Sequence, residues 1–282
     1  MATRKPGRLL LIGGGDRRDP EYKVLKYFVE QAGGKKARIL VIGAASDEPG
    51  DTLKEYRTLF KRFGATEVLT ASLRERSEAE TDEAVEQVEA VSAVFLTGGD
   101  QLRITTMLAG TRLGERLRER HTKGEIVVAG TSAGAAAIGS VMILGGPSDG
   151  TVRRSDVVLG AGLGYMRDSV IDTHFNERGR ESRLLAVFAQ NPQILGIGID
   201  ADTALDVHLG DKYEVVGNGV VIVFDGRVSF SNAARVREDQ MLAVSGVQLH
   251  VLPEGYGFDP QKMEISTPFE EYDMEEAKAN KS

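Results

Sequence analysis

The 282-residue sequence has no cysteine and only four histidines, and basic residues are outnumbered, 35 Lys and Arg against 42 Asp and Glu. Without cysteine there are no disulfides, thiolate zinc sites, iron–sulfur clusters or cysteine nucleophiles. No two of His121, His174, His208 and His250 have the spacing of a local metal motif, and no Asp-x-Asp-x-Asp-Gly loop occurs, so neither metal nor organic cofactor is expected. A net charge of −7 speaks against a nucleic-acid partner, which calls for clustered Lys and Arg. Long apolar runs are also lacking. The run Leu9–Ile12 is shorter than the about 7–15 residues of a secretory core. Ile126–Ser148 carries no charge and matches the roughly 20 residues of a membrane span, but five glycines and Pro147 interrupt it, and it reads as a buried strand, turn and helix.

Glycine is in excess: 33 residues where average usage gives roughly 20. Many fall just after short apolar strands. RLLLI (Arg8–Ile12) runs into Gly13–Gly15, AVFL (Ala93–Leu96) into Gly98–Gly99, and the strand through Val128 into Gly130 and Gly134. Between these strands lie helical patterns at Pro20–Ala32, Thr52–Phe63, Glu78–Val88, Leu102–Met107 and Gly114–Arg120. Such alternation predicts an α/β fold with a mostly parallel sheet flanked by helices. After Gly139 come short strands, a charged helix at Glu177–Gln190, and strands at Ile194–Asp200, Thr203–His208, Tyr213–Val216, Val220–Phe224, Arg227–Phe230 and Val247–Leu252. No linker separates them, so a single domain over 1–268 with an antiparallel C-terminal extension is expected, followed by a flexible acidic tail at 269–282.

In open α/β sheets the carboxyl ends of the strands form the ligand crevice, so three strand-end glycine turns point to one site. Gly13–Gly15 does not complete a dinucleotide fingerprint, and no phosphate-loop Gly-Lys-Ser/Thr is present. Gly130-Thr131-Ser132-Ala133-Gly134 satisfies G-x-S-x-G between a strand and a small-residue helix, the setting of a nucleophile elbow. The N–H of Ala133, with one from an adjacent turn such as Gly99, would then form an oxyanion hole. The plainer alternative is a glycine-rich turn whose Ser132 caps its helix. Among possible bases, His121 reads as a surface residue at a helix end, and His208 and His250 as strand packing or edge residues. His174 ends an apolar strand before Arg178, Arg180 and Arg183, as a base in an anion-binding pocket would. On spacing alone those arginines also fit a solvated helix face paired with Glu177 and Glu181.

Four stretches, FLTGGDQ (Phe95–Gln101), GTSAGA (Gly130–Ala135), IDTHFNERGRESRL (Ile171–Leu184) and GIGIDADTA (Gly196–Ala204), resemble the cyanophycinases, members of the serine peptidase family that includes peptidase E. The resemblance runs from the first strand to about residue 230. It implies a class I glutamine amidotransferase-like fold and a cytoplasmic homodimer that hydrolyses cyanophycin, a poly-aspartate bearing arginine on its side-chain carboxyls, to β-Asp-Arg dipeptides. Ser132 and His174 would be nucleophile and base, with Gln101, Asp172, Arg178, Arg180 and Arg183 lining the groove. Two positions depart from the family pattern. Ala201 stands where a glutamate looks like the third triad member, and Thr173 replaces a common glutamine at a substrate contact. Asp200 and Asp202 flank Ala201, but neighbours in a strand face opposite ways, so neither substitutes without a bulge or bend. Either another acid serves or the chain carries an inactivating substitution, and losing an orienting acid costs on the order of 10⁴ in rate. A polymer-binding protein without turnover and an α-aspartyl dipeptidase are the alternative functions.

Overall fold

Runs of four or five apolar residues bounded by glycine become strands covered on both faces. Every residue of Leu9–Ile12 and of Ala93–Leu96 is buried. The computed structural model describes residues 5–46, 48–146, 150–208 and 212–268, so the acidic tail expected at 269–282 lies outside the described residues. Among the described residues a nine-stranded sheet forms the centre. Five of its strands are parallel, in the order Glu67–Ser72, Arg38–Gly43, Ala93–Leu96, Val127–Thr131 and Leu9–Ile12. The antiparallel extension begins where Thr203–His208 pairs with Leu9–Ile12, and it continues through Lys212–Gly217, Gly257–Asp259 and Glu264–Ser266.

Helices cover both faces of the central sheet, which is what parallel strands require. Lys23–Gln31 and Gly50–Arg62 bury one apolar stripe each, among them Phe28 and Phe60, against Phe95. Ring centroids of Tyr56 and Phe95 lie 4.7 Å apart in this cluster. The other face receives Gln101–Leu108, Arg112–Thr122 and Ala133–Ile138. No described helix is long and apolar enough to cross a membrane.

Three local expectations are corrected. The C-terminal strands do not all extend one sheet: Gln248–Leu252, Val221–Asp225, Leu195–Ile199, Met166–Thr173, Gly139–Gly145 and Val158–Ala161 form a second, six-stranded sheet of mixed direction. The helix expected at Glu177–Gln190 is broken at Gly179, whose φ of 55° is left-handed, into a short turn Asn176–Arg178 and the helix Glu181–Gln190. Arg227–Phe230 is mostly loop, because the Arg227 guanidinium and N–H both fold back onto the Asp225 carboxylate and turn the chain.

Candidate active site

Ser132 sits between the strand Val127–Thr131 and the helix Ala133–Ile138 with φ 53° and ψ −117°. A side chain held in such a region stores about 1–3 kcal/mol of strain. The surroundings hold it there: the Ser132 N–H donates to the Ile12 carbonyl over 2.9 Å. A Cβ on Gly130 would lie 2.4 Å from the Gly134 carbonyl carbon, and one on Gly134 would lie 2.3 Å from the Leu96 carbonyl oxygen. Those two glycines therefore let strand and helix approach. The Ser132 hydroxyl makes no helix-cap hydrogen bond, so the plain capping alternative does not describe this turn.

The hydroxyl faces His174 instead, with Oγ 3.1 Å from Nε2. His174 follows the strand Met166–Thr173 and also has a positive φ, 50°. Its N–H donates to the Gly13 carbonyl over 2.9 Å, and its ring lies against Gly14, where a Cβ would come within 2.3 Å of both Cε1 and Nε2. The second glycine turn joins them, since Gly98 has only 3.2 Å of room for a Cβ beside that of Ser132. All three strand-end turns thus meet at one point. Burial first, then the positive charges of Arg178, Arg180 and Arg18, push the imidazole down to about 4 against a weaker opposing pull from Asp16. The ring is neutral near pH 7, and a neutral ring with its proton on Nδ1 leaves Nε2 free to accept from Ser132.

Two recesses open on either side of Ser132. The smaller, about 140 Å³, gathers Gln101, Asp172, Thr173, Arg178, Arg180 and Arg183 together with Gly99 and Ala133. Gln101 is fixed by donating Nε2–H to the Ile143 carbonyl over 2.6 Å. The break at Gly179 brings round arginines that could not share one helical face. Arg180 and Arg183 both bind the buried Asp172 carboxylate, so they do not form a solvated face paired with Glu177 and Glu181. Asp172 is accordingly spoken for by protein arginines, with its Oδ1 also accepting the Thr173 N–H over 2.9 Å. The larger recess, about 540 Å³, carries residues that the sequence reading missed: Asp16, Arg17, Arg18, Glu55 and Tyr56. Asp16 accepts from the Tyr56 hydroxyl (2.8 Å) and the Thr131 hydroxyl (2.6 Å), tying the first glycine turn to the strand that carries Ser132. Asp16 directly follows Gly13–Gly15, and that adjacency was its one sequence signal.

No carboxylate is hydrogen-bonded to His174 among the described residues. Ala201 has no side-chain acceptor to offer; its N–H donates to Glu177 Oε1 over 3.0 Å and its carbonyl accepts from the Thr203 hydroxyl over 3.2 Å. Asp200 accepts from the Asn176 N–H, the Asn176 side chain and the Val220 N–H. Asp202 turns to the Asn218 side chain over 2.5 Å, and burial raises its carboxyl above the usual range. His121, expected at the surface, is instead 5% exposed and stacks edge-on against Tyr165, with burial lowering it to about 4. The Gly7 N–H donates to the His121 carbonyl over 2.7 Å at this helix end. His208 stands near Glu214, and the His250 ring packs 4.9 Å from Phe258.

A mostly parallel sheet that holds a serine on a strained strand-to-helix turn beside a neutral imidazole has the architecture of a serine hydrolase. A family model described as peptidase family S51 matches residues 9–216. The chain belongs to that family and is a serine peptidase with a class I glutamine amidotransferase-like fold. It is 39% identical over 248 residues to a cyanophycinase of Geminocystis herdmanii (strain PCC 6308), covering 88% of this chain and 91% of that one. A cyanophycinase of Nostoc sp. (strain PCC 7120 / SAG 25.82 / UTEX 2576) is 38% identical over 251 residues, 89% of this chain and 84% of the other. Among solved structures, a peptidase from an acI-B1 Actinobacterium superposes with a TM-score of 0.66 at 23% identity, covering 91% of this chain and 98% of its own. A putative peptidase E protein from Listeria monocytogenes EGD-e gives 0.53 at 16% identity, covering 76% and 100%.

Proposed function

We propose that this chain hydrolyses cyanophycin to β-Asp-Arg dipeptides, with Ser132 as nucleophile and His174 as general base and acid. The observation that carries the reading is the 3.1 Å contact between Ser132 Oγ and His174 Nε2 at the junction of two polar recesses. Ser132 Oγ attacks the backbone carbonyl of a β-linked aspartyl unit as its proton passes to Nε2, and the negative charge moves to the carbonyl oxygen. The N–H groups of Ala133 and Gly99 stabilise that oxyanion; the Ala133 N–H is the first of its helix and has no intrahelical acceptor. Collapse expels the amine, which takes the proton from Nε2. Water, deprotonated by the same imidazole, then releases the acyl group and restores Ser132.

Three guanidiniums against one carboxylate leave the smaller recess positive, which suits an aspartyl α-carboxylate. In that reading Gln101, Thr173 and Arg178 touch substrate, while Asp172 holds Arg180 and Arg183 in place. A single catalytic domain over 1–268, a cytoplasmic location and a homodimer belong to the same proposal, supported by the family resemblance. Sedimentation equilibrium and cell fractionation test the last two. The activity is tested by clearing of an insoluble cyanophycin suspension with Ser132→Ala as control. Binding without clearing would leave a docking protein, and hydrolysis of α-aspartyl dipeptides alone would leave a dipeptidase.

A further inference from the structure

A further recess, about 800 Å³ and larger than either beside Ser132, opens at the other end of the strands and shares no lining residue with those two. Both sheets bound it. Leu9 and Leu195 begin their strands there, paired with Val207 and Asp225 near the ends of theirs. Buried apolar side chains, Leu9, Met166 and Val207, line part of it. Most charged groups around it are satisfied within the protein. The Arg118 guanidinium donates to the Leu163 and Gly164 carbonyls and lies 5.2 Å over the Tyr165 ring, and Asp225 holds Arg227. Arg167 and Asp168 differ: both line the recess, both are exposed, and neither has a hydrogen bond or ion pair among the described residues. The backbone is distorted to place them. Asp168 has φ 47°, a conformation that disfavours a side chain, and no side-chain hydrogen bond compensates for it. At this point Met166 to Val170 lies against only Gly139 to Val141 of the neighbouring strand, a bulge of the kind that re-aims side chains. Strain at a residue whose side chain makes no contact within the fold points to a use outside it. His121 lines the same recess, 5% exposed and with its Nε2 unpartnered among the described residues.

We propose that this recess is a second binding site, apart from the catalytic one, for a small zwitterion of the amino-acid or dipeptide class. Arg167 pairs with the ligand's carboxylate and Asp168 with its ammonium or guanidinium group, while Leu9, Met166 and Val207 receive the methylene chain between them. Adjacent residues of opposite charge select a ligand that carries both charges, because a lone anion meets Asp168 and a lone cation meets Arg167. An apolar lining with a few polar groups that fix orientation is the usual make-up of a small-molecule pocket. The site depends neither on Ser132 nor on the identity of the polymer.

The test is histidine-ring NMR of the full chain, titrated separately with L-arginine, L-aspartate and β-Asp-Arg, with His121→Phe and His174→Ala assigning the two rings. At least one probe is expected to move the His121 signals saturably, and the tightest of the three tells a free amino acid from the dipeptide. Arg167→Gln and Asp168→Asn should each weaken that titration at least about 10-fold and leave any movement at His174 unchanged. Acetate and guanidinium, with one charge each, should bind at least about 10-fold more weakly than the best zwitterion. Asp168→Gly, which relieves the backbone, should melt at a higher temperature and still lose affinity. No saturable shift at His121, shifts confined to His174, or wild-type affinity in folded Arg167→Gln and Asp168→Gly would overturn the proposal, as would acetate or guanidinium binding equally well. Failure to clear cyanophycin would remove the substrate proposal and leave this site standing on the His121 titration.

Discussion

Ser132 and His174 meet at 3.1 Å although each occupies a left-handed backbone conformation, φ 53° and φ 50°. Two non-glycine residues held at positive φ in direct contact show that local comfort is given up where the chain assembles its reactive groups. The contact depends on the glycine turns around it more than on either residue's own element.

Replacing Ser132 separates strain from chemistry. Ser132→Ala keeps a Cβ at φ 53°, whereas Ser132→Gly relieves it, so the glycine variant should be more stable than the alanine variant by up to about 1 kcal/mol. Both should lose at least about 10³-fold in kcat. Thermal melts and dipeptide release on the same samples check the pair of outcomes.

Gly14→Ala should act on the base. The new Cβ would come within 2.3 Å of the His174 ring, at a backbone φ of 94° that disfavours any side chain. Displacing the imidazole by even about 1 Å is expected to cost on the order of 10² in kcat/KM. A normal rate of Ser132 labelling by a fluorophosphonate in a folded Gly14→Ala variant would contradict the packing described.

The acid limb of kcat/KM reports the base of the free enzyme. With His174 held at about 4 by burial and by Arg178, Arg180 and Arg18, activity should persist well below pH 6. Arg178→Gln removes one of the opposing charges, so the imidazolium forms more readily and the limb should move to higher pH. A downward shift would show that the arginine does not face the ring.

His121 makes stability fall with acid. It titrates near 6.5 when unfolded and at about 4 in the fold, so its neutral buried form supports the native state above 6.5. That support is lost progressively as pH falls from 6.5 toward 4, an effect of roughly 3 kcal/mol at most. Urea titrations at pH 7.5 and 4.5 should show a smaller loss of stability for His121→Phe than for the wild type.

The parallel half of the fold was legible because most of its strands are buried on both faces and run into glycine, as Leu9–Ile12 and Ala93–Leu96 do. The boundaries of Ala93–Leu96 follow directly from that pattern, and those of the helix Ala133–Ile138 and the antiparallel strand Thr203–His208 also match the sequence reading. The second sheet was hidden. Its strands lie between residues 139 and 252, interrupted by Thr203–His208 and Lys212–Gly217 of the first sheet, and local pattern does not say which distant strand, such as Gly139–Gly145 or Leu195–Ile199, a segment will join. The small recess was legible through its arginines, although their convergence was not, since it depends on a left-handed Gly179 that interrupts the helical pattern. His121 was misread because its neighbours Arg118, Glu119 and Arg120 are charged, while its own side points inward toward Tyr165. Asp16 was overlooked as a site residue because it reaches its place through a fold contact with Thr131 that sequence separation conceals.

The most direct measurement is the mass and composition of soluble product released from purified cyanophycin, compared between the wild-type chain and Ser132→Ala. The account predicts β-Asp-Arg, with Asp and Arg in equal amounts, from the wild type and none from the variant. Polymer left intact by the wild type, or released equally by Ser132→Ala, would contradict it.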